Sequence, residues 1–162
     1  MRAVGFKEFG DPEVLEVMDI PEVYASQGEI RIKNYASAVN PTDIVSRSGL
    51  IAQFRKDYPL PAVPGMDISG IVDQVGEGVE TGVSIGDQVM GMVIPNALHG
   101  AYSEQITLNQ FAVVKAPKGF SFVESATLPM NGLTARLSLD LLNLTKGQVV
   151  AVTGGPGAYG GY

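Results

Sequence analysis

Short apolar segments separated by glycine and proline turns occupy residues 1–115, and this spacing limits the fold more than any other feature of the sequence. Residues 29–35 alternate polar and apolar side chains, which is typical of a strand with one buried face. A short helix is predicted at residues 42–48, after Pro41. Further short strands are predicted at residues 2–6, 14–20, 68–75, 88–94, 102–108 and 111–115. Many short strands at close spacing predict a barrel or a sandwich.

The pattern changes after Pro117, where helical spacing replaces the alternation. Ser121 and Glu124 have the spacing of a capping box, so a short helix is predicted to begin there. Residues 130–142 predict a longer helix, because their leucines recur at helical spacing. Residues 148–153 then form a valine-rich run, which is typical of a parallel strand buried on both faces.

The valine-rich run leads into a glycine loop, in which Gly155, Gly157 and Gly160 satisfy the GxGxxG pattern. In a dinucleotide-binding turn the first glycine permits a tight turn, and the second lets backbone amides approach a pyrophosphate. The third lets the following helix pack closely. The pattern alone is weak in a chain with 20 glycines, and a flexible glycine-rich tail is the alternative. The strand predicted immediately before the loop favours nucleotide binding.

The composition excludes several kinds of site. The chain has no cysteine and a single histidine, His99, so thiolate chemistry is excluded and we expect no metal site. We interpret His99 as a turn residue. The net charge of -6 argues against a nucleic-acid partner, because phosphate binding needs a basic surface. No apolar run approaches the length of a membrane span, and residues 1–8 lack the features of a secretory signal, so a cytoplasmic protein is expected.

Three further segments, taken with the glycine loop, carry a family resemblance. Residues 36–43 are similar to a VNPxD segment, residues 64–72 to PGxDxxGxV, and residues 125–135 to AAxLPxxGLTA. In this order and spacing, the four segments resemble the zinc-independent medium-chain dehydrogenases/reductases of the quinone oxidoreductase type.

The resemblance implies a mainly β, GroES-like, partly open barrel over residues 1–120, which would be the catalytic domain. Residues 121–162 would form the interdomain helix and the start of a truncated Rossmann nucleotide-binding domain, with its first β-strand and glycine loop. Zinc-dependent alcohol dehydrogenases of the same superfamily carry a cysteine at the position of Asn40 and a His-Glu pair at Met66 and Asp67. The resemblance therefore implies a site without zinc.

The resemblance also implies transfer of a hydride from NADPH, with NADH not excluded, to a quinone or an α,β-unsaturated carbonyl. The cofactor supplies that chemistry, while the protein orients it and stabilises the developing charge. The full-length protein is expected to be a homodimer, and the 162-residue chain alone is expected to be inactive. The alternatives are a non-catalytic GroES-like binding or assembly module, an inactive fragment, and a reductase that recruits a metal through oxygen ligands.

Asn40 is the first candidate catalytic residue, because its carboxamide can hold the nicotinamide or ribose and can hydrogen-bond the acceptor without titrating. A simple turn before Pro41 is the alternative. Asp43 is the second candidate, although capping the helix after Asn40 is the favoured role. Thr127 and Thr134 are expected to bind the cofactor. The alternative for Thr127 is a role as a helix cap, and the alternative for Thr134 is a side chain that only faces solvent. The residues expected to bind the cofactor are Asn40, Thr127, Pro129, Thr134, Gly155, Gly157, Ala158, Tyr159 and Gly160.

One departure from the family pattern concerns the acceptor. Quinone oxidoreductases often carry tyrosines shortly after the VNPxD segment, whereas residues 44–52 contain no aromatic residue. The pocket is then expected to be aliphatic, and a small enone or enal becomes a candidate substrate beside a quinone. Tyr58 and Tyr102 are available aromatic residues whose positions the sequence leaves open.

Overall fold

Strands in two antiparallel sheets form most of the computed structural model, which describes residues 1–54 and 57–162. The strands β1 (Arg2–Gly5) and β2 (Glu16–Asp19) pair with each other. The larger sheet has the order β6-β3-β4-β5-β7. Its strands are β3 (Glu29–Ser37), β4 (Asp67–Val75), β5 (Gln88–Met92), β6 (Gln105–Asn109) and β7 (Val113–Lys115). Each strand predicted in residues 1–115 is therefore confirmed, with ends that differ by a few residues.

The hydrophobic core lies on one face of the larger sheet, because alternate residues of a strand point to the same side. Ile32 of β3 lies between Val72 of β4 and Ile106 of β6, and all three side chains are buried. Ile68 and Val89 extend the same cluster. Two register shifts between β3 and β4 bend the sheet. The result is the mainly β, partly open barrel that the sequence predicts.

The described α-helices are α1 (Pro41–Arg47), α2 (Phe122–Ala126) and α3 (Pro129–Leu142). The predicted capping box of α2 is confirmed: the Glu124 N–H donates to Ser121 Oγ at 3.2 Å, and the Ser121 N–H donates to Glu124 Oε2 at 2.8 Å. The Phe122 ring stacks on Tyr35 of β3, with 4.7 Å between the ring centroids. This contact holds α2 against the larger sheet.

The strand predicted at residues 148–153 is not formed, so this part of the prediction is wrong for the structure described. Val149 is 95% exposed, and none of the strands in the described residues pairs with this segment. A parallel strand that is buried on both faces needs strands beside it. Without such neighbours the valine-rich run has no ladder of hydrogen bonds to join. Every residue from 129 to 162 is at least partly exposed.

The division of the chain after residue 120 stays a prediction. It falls in the connection between β7, which ends at Lys115, and α2, which begins at Phe122. None of the helices in residues 1–54 and 57–162 combines the length and the apolar character needed to cross a bilayer.

Candidate functional site

Asn40 and Asp43 meet at the start of α1. Asn40 has an extended backbone and precedes Pro41, which is favourable at the first helical position because it lacks an N–H. The Asp43 carboxylate accepts a hydrogen bond from the Asn40 backbone N–H, with 2.8 Å between nitrogen and Oδ2. Asp43 therefore makes the capping contact that the sequence favoured, and it does so in a buried position.

The Asp43 carboxylate also connects α1 to two other segments. The Gly65 N–H donates to Oδ1 at 3.0 Å, and the Tyr102 hydroxyl donates to Oδ2 at 3.1 Å. Gly65 has a φ of +100°, and a Cβ at this position would lie 2.5 Å from the Tyr102 ring, so glycine is required. Burial, and then the charge of Asp43, raise the pKa of Tyr102, which keeps its hydroxyl a donor.

Asp67, the first residue of β4, is a site residue that sequence reasoning missed. Its side chain is 1% exposed. Its Oδ2 accepts from Asn40 Nδ2 at 2.6 Å, and its Oδ1 accepts from the Met130 backbone N–H at 2.6 Å. Burial raises the pKa of Asp67, while the hydrogen bonds from Met130 and Asn40 oppose the rise. The PGxD segment was the available signal, but it marked position 67 only as a zinc-ligand position in relatives.

A cleft of about 830 Å³ lies between the start of α1, the end of α2 and the glycine loop. The Thr127 hydroxyl donates to the Glu124 carbonyl at 2.8 Å, and Leu128 rather than Thr127 is the N-cap of α3. The Tyr162 hydroxyl donates to the Thr127 carbonyl at 2.9 Å, which ties the loop to the end of α2. The predicted site residues that line this cleft together are Asn40, Thr127, Gly157, Ala158, Tyr159 and Gly160.

Three residues predicted to bind the cofactor lie outside this cleft. Pro129 lines a separate apolar cavity between β5, β7 and α3, because it occupies the first position of α3. The Thr134 hydroxyl donates to the Met130 carbonyl at 2.6 Å on the exposed surface of the helix. Gly155 belongs to the loop, but the cleft is lined by Gly154 and Gly157 and not by Gly155 itself.

The glycine loop makes a tight turn that leaves three consecutive backbone amides without a partner among the described residues. Gly154 has a φ of +75°, and the Gly157 N–H donates to its carbonyl oxygen at 2.8 Å. A Cβ on Gly160 would lie 2.5 Å from the same oxygen, so the loop closes only with glycine there. The amides of Ala158, Tyr159 and Gly160 donate to no other described residue. Consecutive free amides on a tight turn are suited to holding an anion.

A third cavity, of about 310 Å³, lies against α1. The described residues that line it are Thr42, Asp43, Val45, Ser46, Ile51, Tyr58, Met66, Ile94 and Pro95. Most of this lining is apolar, and Tyr58 is the aromatic residue among those described. The Tyr102 hydroxyl donates to Asp43, which also lines this cavity, but Tyr102 is not among the described lining residues.

Residues 26–133, more than half of the chain, match the family of alcohol dehydrogenase GroES-like domains. The chain belongs to this family. The solved quinone oxidoreductase of Coxiella burnetii superposes with a TM-score of 0.85 at 32% identity, and the match covers 99% of this chain and 51% of that one. The GroES-like barrel and the resemblance to quinone oxidoreductases of the medium-chain superfamily are thereby confirmed.

Two curated relatives of this GroES-like chain are also similar over nearly all of its length. The 2-methylene-furan-3-one reductase of Solanum lycopersicum is 33% identical, over 99% of the chain and 42% of the relative. The chloroplastic NADPH-dependent alkenal/one oxidoreductase of Arabidopsis thaliana is 31% identical, over the same shares. The chain thus spans less than half the length of these relatives.

The positions of the zinc ligands in zinc-dependent members of the superfamily are occupied differently in this GroES-like domain. Asn40 and Asp67 hydrogen-bond to each other, and the Thr42 hydroxyl donates to Met66 Sδ at 3.2 Å. Across residues 1–54 and 57–162, no three His, Cys, Asp or Glu side chains lie close enough to share a metal ion. Asn40 and Asp67 thus bind each other, and Met66 binds Thr42.

Proposed function

We propose that the full-length protein is an NADPH-dependent oxidoreductase that transfers a hydride, without zinc, to an α,β-unsaturated carbonyl or a quinone. The observation that carries the proposal is the shared cleft, where Asn40 and the loop residues 157–160 line one space. Its volume of about 830 Å³ suits a cofactor site. The relative named as NADPH-dependent supports the choice of cofactor.

NADPH, when bound, supplies the hydride, and the chain holds and orients it. The free amides of residues 158–160 would bind the pyrophosphate, on the loop that Gly160 allows to close. Asn40 and Thr127, on the facing walls of the cleft, would hold the nicotinamide end. NADH stays an alternative, because no described residue lining the cleft carries a charge that would distinguish a 2′-phosphate.

Hydride adds to the β-carbon of an enone, and the electron pair of the C=C bond shifts to give an enolate. Its negative charge is shared by the carbonyl oxygen and the α-carbon, and the α-carbon then takes up a proton. Asn40 has two roles open to it: it can hold the nicotinamide or ribose, or it can hydrogen-bond the acceptor oxygen. The Asp43 carboxylate already accepts three donors, from Asn40, Gly65 and Tyr102. We therefore assign the proton to solvent and Asp43 to positioning Asn40.

The acceptor is proposed to occupy the cavity of about 310 Å³ beside α1. Val45 and Ile51 come from the segment in which quinone oxidoreductases often carry tyrosines, so stacking of a quinone on that segment is lost. Met66 and Ile94 add further apolar surface, and Tyr58 brings an aromatic ring from a different segment. This lining favours a small enone or enal over a large aromatic quinone.

Several expectations about the whole protein stay predictions. They are a homodimeric assembly, a cytoplasmic location and the lack of a nucleic-acid partner, which the net charge of -6 disfavours. The next experiment addresses the non-catalytic GroES-like module. Metal analysis of the purified protein addresses the reductase with a recruited metal, and the inactive fragment is addressed by the same NADPH titration of the 162-residue chain.

The decisive experiment is calorimetric titration of NADPH into the full-length protein, followed by NADPH oxidation with a panel of enones, enals and quinones. We expect stoichiometric binding and the fastest turnover with small enones. Asn40→Ala should lower kcat/KM by roughly tenfold to a hundredfold. Asn109→Ala is the matched control, because Asn109 only accepts the Phe111 N–H on an exposed turn. A folded full-length protein that neither binds nor oxidises NADPH would rule out the reductase and favour the non-catalytic module.

A further inference from the structure

The Asp67 carboxylate uses its two oxygens on two different walls of the cleft region. Oδ2 accepts from the side chain of Asn40, and Oδ1 accepts from the backbone N–H of Met130, each at 2.6 Å. The side chain is 1% exposed at the start of β4. An ionised carboxylate can only accept hydrogen bonds, so both partners must be donors.

This constraint determines how the Asn40 carboxamide is oriented. Its amide nitrogen must face Asp67, since its carbonyl oxygen would meet a second acceptor there. The carbonyl oxygen is then directed away from Asp67, and Asn40 itself lines the cleft that the glycine loop shares. Its carbonyl oxygen is then left as a hydrogen-bond acceptor, which suits the hydroxyls of a ribose or the N–H groups of a nicotinamide carboxamide, while its second amide N–H stays a donor.

The second contact of Asp67 connects the same carboxylate to α3. Met130 is the second residue of that helix, whose N–H groups in the first turn have no partner within the helix. The carboxylate satisfies one of them, and the partial positive charge at a helix N-terminus favours this arrangement. Asp67 thereby holds Asn40 and the first turn of α3 at one fixed separation.

We propose that Asp67 is a positioning residue, which sets Asn40 as an acceptor toward the cofactor and ties α3 to the barrel. This inference rests on the proposed function, and it favours orientation of the cofactor as the role of Asn40.

The substitution Asp67→Asn tests the proposal with almost no change of shape. An amide at position 67 has one acceptor and one donor, so keeping the Met130 contact on its oxygen turns its NH₂ group toward Asn40. Asn40 must then rotate its carbonyl oxygen inward and lose it as an acceptor in the cleft. We expect roughly tenfold weaker NADPH binding in calorimetry, the effect of one hydrogen bond, together with a lower kcat.

Two further variants make the result specific. In Asn40→Asp combined with Asp67→Asn, the amide of position 67 donates to the carboxylate of position 40, which again offers an acceptor to the cleft. NADPH affinity should recover at least in part relative to Asp67→Asn. Asp73→Asn is the matched control, because Asp73 lies on the same strand and pairs with Arg31 away from the cleft. Its affinity should equal that of the wild type.

Nuclear magnetic resonance of the cofactor-free, full-length protein separates this inference from the proposed function. The Asn40 side-chain amide signal, assigned by its loss in Asn40→Ala, should show one strongly downfield proton that disappears in Asp67→Asn. Equal NADPH affinity and equal kcat in wild type and Asp67→Asn, or an amide signal that the substitution leaves unmoved, would overturn the inference. If the wild type shows the downfield amide proton but does not bind NADPH, the contact between Asn40 and Asp67 is present and the proposed reductase function is refuted.

Discussion

The barrel, within residues 1–120, and the C-terminal segment, residues 129–162, both carry large apolar side chains but bury them very differently. Ile30 and Ile68 in the barrel have no exposed surface, whereas Leu141 is 87% exposed and Val149 is 95% exposed. Strands of the barrel cover one another's apolar faces. The segment is tied to the barrel by contacts such as the Met130 N–H on Asp67. An apolar pattern therefore shows which residues are suited to burial, but not whether a covering surface is present.

The largest expected effect tests this difference in burial directly. Ile68→Ala in the 162-residue chain should lower the free energy of unfolding by about 2–5 kcal/mol, because it leaves a cavity in the core. Leu137→Ala is the matched change in α3, where the side chain is 52% exposed, and should stay within about 0.5 kcal/mol. Urea denaturation monitored by circular dichroism measures both. Equal losses would show that α3 is packed in solution and would break the comparison.

A smaller effect is expected from the buried polar contacts of the barrel. Asp43→Asn places an NH₂ group against one of three donors, from Asn40, Gly65 or Tyr102. The free energy of unfolding should fall by about 1–3 kcal/mol, the usual effect of an unsatisfied buried donor.

The control for this substitution is Asp140→Asn in α3. Asp140 pairs with Arg136 on the exposed surface, so the same change of charge should have no measurable effect there. If Asp43→Asn were as silent as the control in the same denaturation experiment, the Asp43 contacts would contribute nothing to the stability of the barrel.

The smallest expected effect is a dependence on pH that only the barrel should show. Burial lowers the pKa of His99 below its ordinary 6.5, although the charge of Glu29 opposes the shift. The unfolded chain then takes up a proton at a higher pH than the folded chain does. The contribution of His99 to the free energy of unfolding is therefore fully present above pH 6.5 and is lost as the pH falls below it.

His99→Gln isolates this effect, because His99 is the only histidine of the chain. The free energy of unfolding is measured for both proteins from about pH 7.5 to about pH 5. The difference between wild type and variant should shift in favour of the variant as the pH falls. A difference that stays constant over this range would show that His99 titrates alike in the folded and unfolded chains.

Local patterns predicted the fold well. The alternation in residues 29–35 became β3, and Ser121 with Glu124 made the predicted capping box. The valine-rich run at residues 148–153 did not become a strand, because a strand is completed by hydrogen bonds to neighbours that its own residues do not contain. The alternative role of Thr127, capping α3, is not realised, because Leu128 is the N-cap and the Thr127 hydroxyl donates to the Glu124 carbonyl.

By itself, the sequence determined the strands and helices of the barrel, the family segments and the glycine spacing. These depend on side-chain periodicity and on residues a few positions apart. Only the tertiary structure decided that Asn40 and the glycine loop line one cleft, and that Pro129 and Thr134 lie outside it. It also brought Asp67 to Asn40. Such contacts join residues far apart in the chain, and they depend on the order and register of the strands, which no local pattern encodes.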